Sequence, residues 1–159
     1  MKKSLFILIF SLISIMGAYA QLPKVYDETI DPMEQIDKAL KDAKGSDRYV
    51  ICQIGGNWCP WCLRFADFIK KDAEIAKVVD DNFVYIHVNY PRTGAPENLL
   101  KRLGNPGRFG YPVFVVLITD GSVLHIQDSS FLEEGKGYDQ KKVLRFFNGW
   151  TPKAVAGVK

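Results

Sequence analysis

The sequence predicts an α/β domain in which helices flank a central mixed β-sheet. Three observations carry that expectation. Residues 49–54 and 83–88 are short, nearly continuous apolar runs, the pattern of strands covered on both faces. Segments of helical periodicity alternate with them, and a strand-helix-strand order of this kind crosses over right-handed into a parallel pair. Residues 112–118 and 123–126 are β-rich and meet across Asp120-Gly121, a hairpin signal that adds antiparallel pairing.

Taken in order, residues 21–30 show no periodicity and are expected to form a mobile or edge-hugging arm, with ordered structure beginning at Asp31. Asp31-Pro32-Met33-Glu34 supplies a capping side chain, a proline at the first helical position and a glutamate three residues after the cap. Met33, Ile36, Leu40 and Ala43 then share one face, and Gly45 ends this N-terminal helical extension. After the first strand, Gly55-Gly56-Asn57 breaks the run, and a helix starts near Cys59 and Pro60 with Leu63, Ala66 and Ile69 inward. Asp72 caps a second helical piece carrying Ala76 and Val79. Residues 97–103 form a short helix closed by Gly104. The last helix starts at Asp139, where Val143, Leu144, Phe147 and Trp150 recur at helical spacing and cover one face of the sheet.

Apolar residues make up 47% of the 159-residue chain and charged residues 25%, the balance of one soluble domain with material for a core. Residues 1–20 differ in kind. Lys2 and Lys3 precede an apolar stretch that ends in Ala18-Tyr19-Ala20, with small residues at the two sites a signal peptidase reads. That stretch, interrupted by Ser11 and Ser14, falls short of the ~20 apolar residues that span a bilayer, so a cleaved export signal is expected rather than an anchor. The mature domain then occupies residues 21–159, with the periplasm as first destination, secretion as second and no stable membrane insertion. Removing Lys2 and Lys3 from the 21 basic residues leaves 19 against 18 acidic ones, which provides no excess of positive charge for nucleic acid.

Export places the three cysteines, Cys52, Cys59 and Cys62, where disulfides form and persist. Trp58-Cys59-Pro60-Trp61-Cys62 sits where a strand ends and a helix begins. A thiolate at a helix N-terminus is stabilised by free backbone N–H groups and the positive end of the dipole, which lowers a thiol pKa from ~8.5 toward ~7 or below. Cys59 takes that position. Cys62 lies one turn further on the same side, where it can attack a mixed disulfide formed at Cys59. Pro60 occupies the first helical position, where its missing N–H costs nothing.

With this motif and a second one, Gly110-Tyr111-Pro112 before a strand, the chain resembles the thioredoxin superfamily over roughly residues 48–150. The resemblance implies the thioredoxin fold, a cis peptide bond before Pro112, and a Tyr111 backbone that pairs with substrate beside the active disulfide. More narrowly, the run from Gly55 to Cys62 and the ending around Gly137-Tyr138-Asp139 look like a group of exported bacterial thioredoxin-like proteins. One departure stands out. Thioredoxins carry a buried aspartate six residues before the first motif cysteine, where it assists proton transfer at the second, and this chain has Gln53. An amide hydrogen bonds but carries no proton.

A Cys-x-x-Cys pair can also be half of a zinc site or a structural disulfide, but Cys52, His87 and His125 offer no second paired motif, so no metal or cofactor is expected. Cys52, mid-strand, reads as a small buried hydrophobe, and the two histidines read as strand residues without a catalytic role. Trp58, Pro60, Trp61, Tyr111 and Pro112 are candidates for substrate contact, with Trp61 expected exposed and Trp58 partly packed. Residues 90–109, rich in proline and glycine, either shape a substrate groove or form a surface insertion. The expected function is exported thiol–disulfide exchange with protein substrates through Cys59 and Cys62, as a reductase before an oxidase, served by an unidentified redox partner. The rival is a non-catalytic binding module for exported clients on the same fold.

Overall fold

The computed structural model describes residues 21–157, so the expected export signal lies outside the described residues. Helix α1, Pro32–Lys44, starts as its sequence requires: Asp31 accepts hydrogen bonds from the backbone N–H groups of Met33 and Glu34. Strand β1, Tyr49–Gly55, is followed by α2, Pro60–Lys71, and α3, Ala73–Asn82. Asp72 ends one of these helices and caps the next through the N–H groups of Glu74 and Ile75. Strand β2, Phe83–Asn89, leads to the short helix α4, Glu97–Arg102, and a 3-10 turn at Pro106–Phe109. The hairpin of β3, Val113–Leu117, and β4, Val123–Asp128, follows. A 3-10 turn at Ser129–Leu132, the two-residue strands β5, Glu133–Glu134, and β6, Gly137–Tyr138, and helices α5, Gln140–Gly149, and α6, Pro152–Ala156, complete the chain.

Four strands form one sheet in the order β2-β1-β3-β4, with β1 parallel to β2 and β3 antiparallel to both of its neighbours. The sheet is therefore mixed, as the crossover and hairpin signals require. Its central strands are apolar, Gln53 of β1 excepted, because both faces are covered. On one face Val50, Cys52, Ile54, Val113, Val115 and Leu117 pack with Ile36, Ala39 and Ala43 of α1 and with Leu99 and Leu103. On the other face Ile51, Phe114 and Val116 pack with Phe65, Ile75, Val79, Val143 and Phe147 from α2, α3 and α5. Phe65, fully buried, is the aromatic hub of this side, with ring centroids 4.4 Å from Phe114 and 4.8 Å from Tyr138. Each such side chain contributes about 1.5–3 kcal/mol through burial.

The segment 90–109 is more than a surface insertion, since Tyr90, Leu99, Leu103 and Pro106 are buried and α4 closes the first face. The arm at residues 21–30 also departs from expectation. It is held across the C-terminal end of β1 by hydrogen bonds to Asn57 rather than lying along the sheet edge, and Tyr26 is 4% exposed. The clamp is Asn57: its Oδ1 accepts from the N–H groups of Val25 and Tyr26, both at 3.1 Å, and its Nδ2 donates to the Tyr26 carbonyl at 2.8 Å and to Glu28 Oε1 at 2.9 Å. An asparagine side chain offers both kinds of group, so one residue satisfies three backbone groups of a segment without secondary structure.

Asn57→Ala removes all four bonds and leaves the two packed faces intact. Limited trypsin digestion should then cut at Lys24 about tenfold faster or more, as expected when a local segment opens without global unfolding, while the thermal midpoint falls by only about 5 °C. Mass spectrometry of the digest checks this, and an unchanged rate of cutting at Lys24 would show that something other than Asn57 holds the arm.

Candidate active site

Where β1 ends, Gly55 and Gly56 leave room for close approach. A Cβ on Gly55 would collide with the Cys62 sulfur and the Tyr26 hydroxyl, and one on Gly56 would collide with the Trp58 indole. The chain then turns into α2 with Cys59 as its capping residue and Pro60 at the first position. Cys59 and Cys62 form a disulfide with a Cα separation of 5.2 Å. Cys59 is 5% exposed and Cys62 fully buried. The Cys62 N–H donates to the Cys59 sulfur at 3.2 Å, the interaction that a helix start offers to an anion.

The remaining candidates from sequence converge here in part. Trp58 is half-buried; its Nε1 donates to the Tyr90 carbonyl at 3.0 Å and its ring stands edge-on to Tyr111 at 5.3 Å. Trp61 is not exposed as expected but half-buried, because its ring meets Tyr138 edge-on at 5.6 Å and its carbonyl accepts the Tyr138 hydroxyl at 3.1 Å. Pro60 is exposed. Tyr111 is half-buried against the cysteine cluster, and burial pushes its phenol up to about 12. The Tyr111–Pro112 bond is cis, as the resemblance implies, and Pro112 is buried. Arginines stack on the flanking indoles, Arg64 over Trp61 at 5.1 Å and Arg92 over Trp58 at 5.0 Å.

Behind the disulfide lies a polar network that the sequence did not disclose. Gln53 is fully buried. Its Nε2 donates to the Tyr26 oxygen at 2.7 Å and to the Cys62 carbonyl at 3.0 Å, and its Oε1 accepts from the Tyr85 hydroxyl at 2.6 Å. Gln53 thus faces Cys62 through the backbone carbonyl. Tyr26 and Asn57 went unread because a lone tyrosine in an aperiodic segment and an asparagine after two glycines carry no pattern that marks burial.

Cys52 is buried on the opposite face, where burial pushes its thiol up to about 12. It behaves as the packed hydrophobe that the sequence implies. His125 stacks on Trp150 at 4.1 Å. Among the described residues no cluster of side chains could hold a metal ion.

His87 stands edge-on to Tyr26 at 5.3 Å and to Tyr85 at 5.5 Å, and its Nε2 has no hydrogen-bond partner among the described residues. Burial lowers its pKa to about 4, so it is neutral in the folded protein at neutral pH. In the unfolded chain it takes up a proton near pH ~6.5. As pH falls through that interval the unfolded state binds the proton first, and stability drops by about 3 kcal/mol by the time the folded pKa is reached. His87→Phe keeps the edge contacts and should remove this part of the loss. Urea unfolding of both proteins at about pH 7.5 and about pH 4.5 measures it, and equal losses in the two would contradict a buried neutral imidazole.

A structure titled disulphide isomerase from Xylella fastidiosa Temecula1 aligns with a TM-score of 0.70 at 23% identity, covering 80% of this chain and 96% of that one. The oxidised C-terminal domain of DsbD from Neisseria meningitidis aligns with a TM-score of 0.50 at 24% identity, covering 74% of this chain and 95% of that one. No curated protein matches the chain. These likenesses bear out the thioredoxin fold. The family model named Thioredox_DsbH and described as "Protein of unknown function, DUF255" matches residues 12–147, and the chain belongs to that thioredoxin-like family with its Cys59-Cys62 pair in Cys-x-x-Cys spacing.

Proposed function

We propose that the protein is an exported thiol–disulfide oxidoreductase that reduces disulfides of protein clients in the periplasm. The observation that carries this reading is the Cys59 sulfur at the start of α2, receiving the Cys62 N–H, with Cys62 buried behind it. Family membership and the Cys-x-x-Cys pair support thiol–disulfide exchange as the chemistry. In the reduced protein the Cys59 thiolate attacks one sulfur of a client disulfide, the other client sulfur leaves as a thiolate, and a mixed disulfide joins client to Cys59. Cys62, as thiolate, then attacks the Cys59 sulfur and expels the second client sulfur. Two electrons pass from the protein pair to the client, and an external dithiol partner restores the reduced pair. Trp58, Pro60, Trp61 and Tyr111, with buried Pro112 beneath them, form the surface against which the client chain rests.

The reducing direction is supported by how few contacts surround the Cys59 sulfur. A strongly oxidising pair needs its reduced form held by several favourable contacts. Here the sulfur accepts one hydrogen bond among the described residues, and the nearby guanidiniums lie over indole rings. Export rests on the basic, apolar and Ala-x-Ala pattern of residues 1–20. Among the described residues no helix is long and apolar enough to cross a membrane.

Two measurements test this. Insulin reduction in the presence of a thiol donor should be accelerated by the wild-type protein and fall to the uncatalysed rate with Cys59→Ser, while Cys62→Ser accumulates client adducts on Cys59. Client capture that is indifferent to Cys59→Ser would favour the non-catalytic binding module instead. Intact mass of the exported protein should place its first residue at Gln21, and a membrane-bound form retaining residues 1–20 would overturn the export reading.

A further inference from the structure

Opening the Cys59–Cys62 bond leaves charge on a sulfur that is fully buried, and a buried anion without a hydrogen-bond donor is strongly disfavoured. The position where thioredoxins keep a carboxylate holds an amide whose hydrogen atoms are both committed. The Cys62 carbonyl can only accept, so Nε2 of Gln53 faces it, and the second amide hydrogen goes to the Tyr26 oxygen. The Tyr85 hydroxyl hydrogen goes to Oε1 of Gln53. Every donor in the network is therefore assigned except one. Tyr26 accepts from Gln53, and its own hydroxyl hydrogen has no acceptor among the described residues.

That hydroxyl lies near the sulfur. A Cβ placed on Gly55 would lie within 2.9 Å of both the Tyr26 oxygen and the Cys62 sulfur, so the two atoms border the same small space, kept open because residue 55 is glycine. Tyr26, Cys59 and Cys62 pack as one buried cluster. We propose that the Tyr26 hydroxyl donates a hydrogen bond to the Cys62 thiolate whenever the disulfide is open. This rests on the thiol–disulfide reading and names the group that makes the buried cysteine a competent leaving group and attacker. An incoming thiolate forms a new bond to the Cys59 sulfur, the Cys59–Cys62 bond breaks, and the electron pair departs on Cys62. The proton stays on Tyr26, whose ionisation burial makes harder, and only the hydrogen bond forms. In the reverse step the same bond holds the Cys62 anion until it attacks.

The groups facing this cluster leave the neutral range to the cysteines. From β1 comes neutral Gln53; from β2 come Tyr85, whose phenol burial raises, and His87, neutral above about 4. The arm adds Asp27 and Glu28, α2 adds Arg64 over Trp61, and Tyr111 and Tyr138 approach with phenols raised by burial.

The test uses Cys59→Ser protein, in which Cys52 remains protonated because burial holds it near about 12. Thiolate absorbance against pH then reports Cys62 alone. Adding Tyr26→Phe, which keeps the ring and removes the hydroxyl, should raise the midpoint by about one pH unit, the tenfold loss expected for a hydrogen bond to a charged group. In the otherwise wild-type protein Tyr26→Phe should slow reduction of the disulfide by dithiothreitol about threefold at neutral pH, since a more basic thiolate leaves more slowly. A midpoint and rate unchanged from wild type would overturn the proposal. Should Tyr26→Phe fail to fold, Cys59→Ser protein labelled with 13C at tyrosine Cζ gives the answer with Tyr26 intact. Its resonance must move with Cys62 ionisation, and a stationary resonance overturns the proposal. A wild-type pair that cannot be cycled reversibly with dithiothreitol would instead defeat the redox reading itself, whereas a reversible pair indifferent to Tyr26 defeats only this inference.

Discussion

A single buried amide sets the terms for the rest of the site. Gln53 is fully enclosed, and an amide removed from water without partners costs about 1–3 kcal/mol by mutational measures. Its partners come from three separate pieces of chain: the arm through Tyr26, strand β2 through Tyr85, and the first turn of α2 through the Cys62 carbonyl. Satisfying one side chain therefore fixes where the arm lies, how α2 sits over the sheet and which residues of β2 lie alongside. The register agrees, since Gln53 lies opposite His87 and Tyr85 lies two residues earlier on the same face.

The reactive pair inherits its geometry from that arrangement. Strand β1 ends at Gly55 and is followed by Gly56 because a side chain at either would occupy the space needed by Cys62, Tyr26 and Trp58. Each glycine in a strand end costs about 0.5–1 kcal/mol in backbone entropy, and the apolar faces on both sides of the sheet offset this many times over. The cost yields a helix start pressed directly against the sheet, with one sulfur at the mouth and the other sealed behind it. Asn57 then holds the arm over this region, and Cys62 is fully buried.

Most of the fold was legible in the sequence. The helix starts at Asp31, Asp72 and Asp139 were readable because capping is local chemistry, and β1 and β3 because double-sided burial writes a continuous apolar run. The reactive cysteines and the cis bond before Pro112 were equally accessible, the first from their place at a strand-to-helix junction and the second from resemblance. What stayed hidden depends on contacts distant along the chain. Tyr26 meets Gln53 across 27 positions and Asn57 holds Tyr26 across 31, and no local periodicity encodes either. Trp61 was misjudged for the same reason, since its packing depends on Tyr138, which lies far along the chain. The short β5 and β6 pair that presents Tyr138 is only two residues to a strand and leaves no pattern.

Replacing a carboxylate by an amide at the centre of such a site changes its electrostatics more than its shape. A buried aspartate alters its charge when it trades a proton, and its neighbours feel that change at full strength in a medium of low dielectric. Gln53 has no charge to change, and burial moves Tyr26 and Tyr85 away from ionisation at neutral pH. The network therefore presents one fixed set of dipoles throughout the range in which the cysteines ionise. What it gives up is a proton relay, since an amide can hydrogen bond beside Cys62 but cannot take its proton. A neutral donor beside Cys62 is the arrangement that can steady a thiolate there without adding a titrating group of its own in the neutral range.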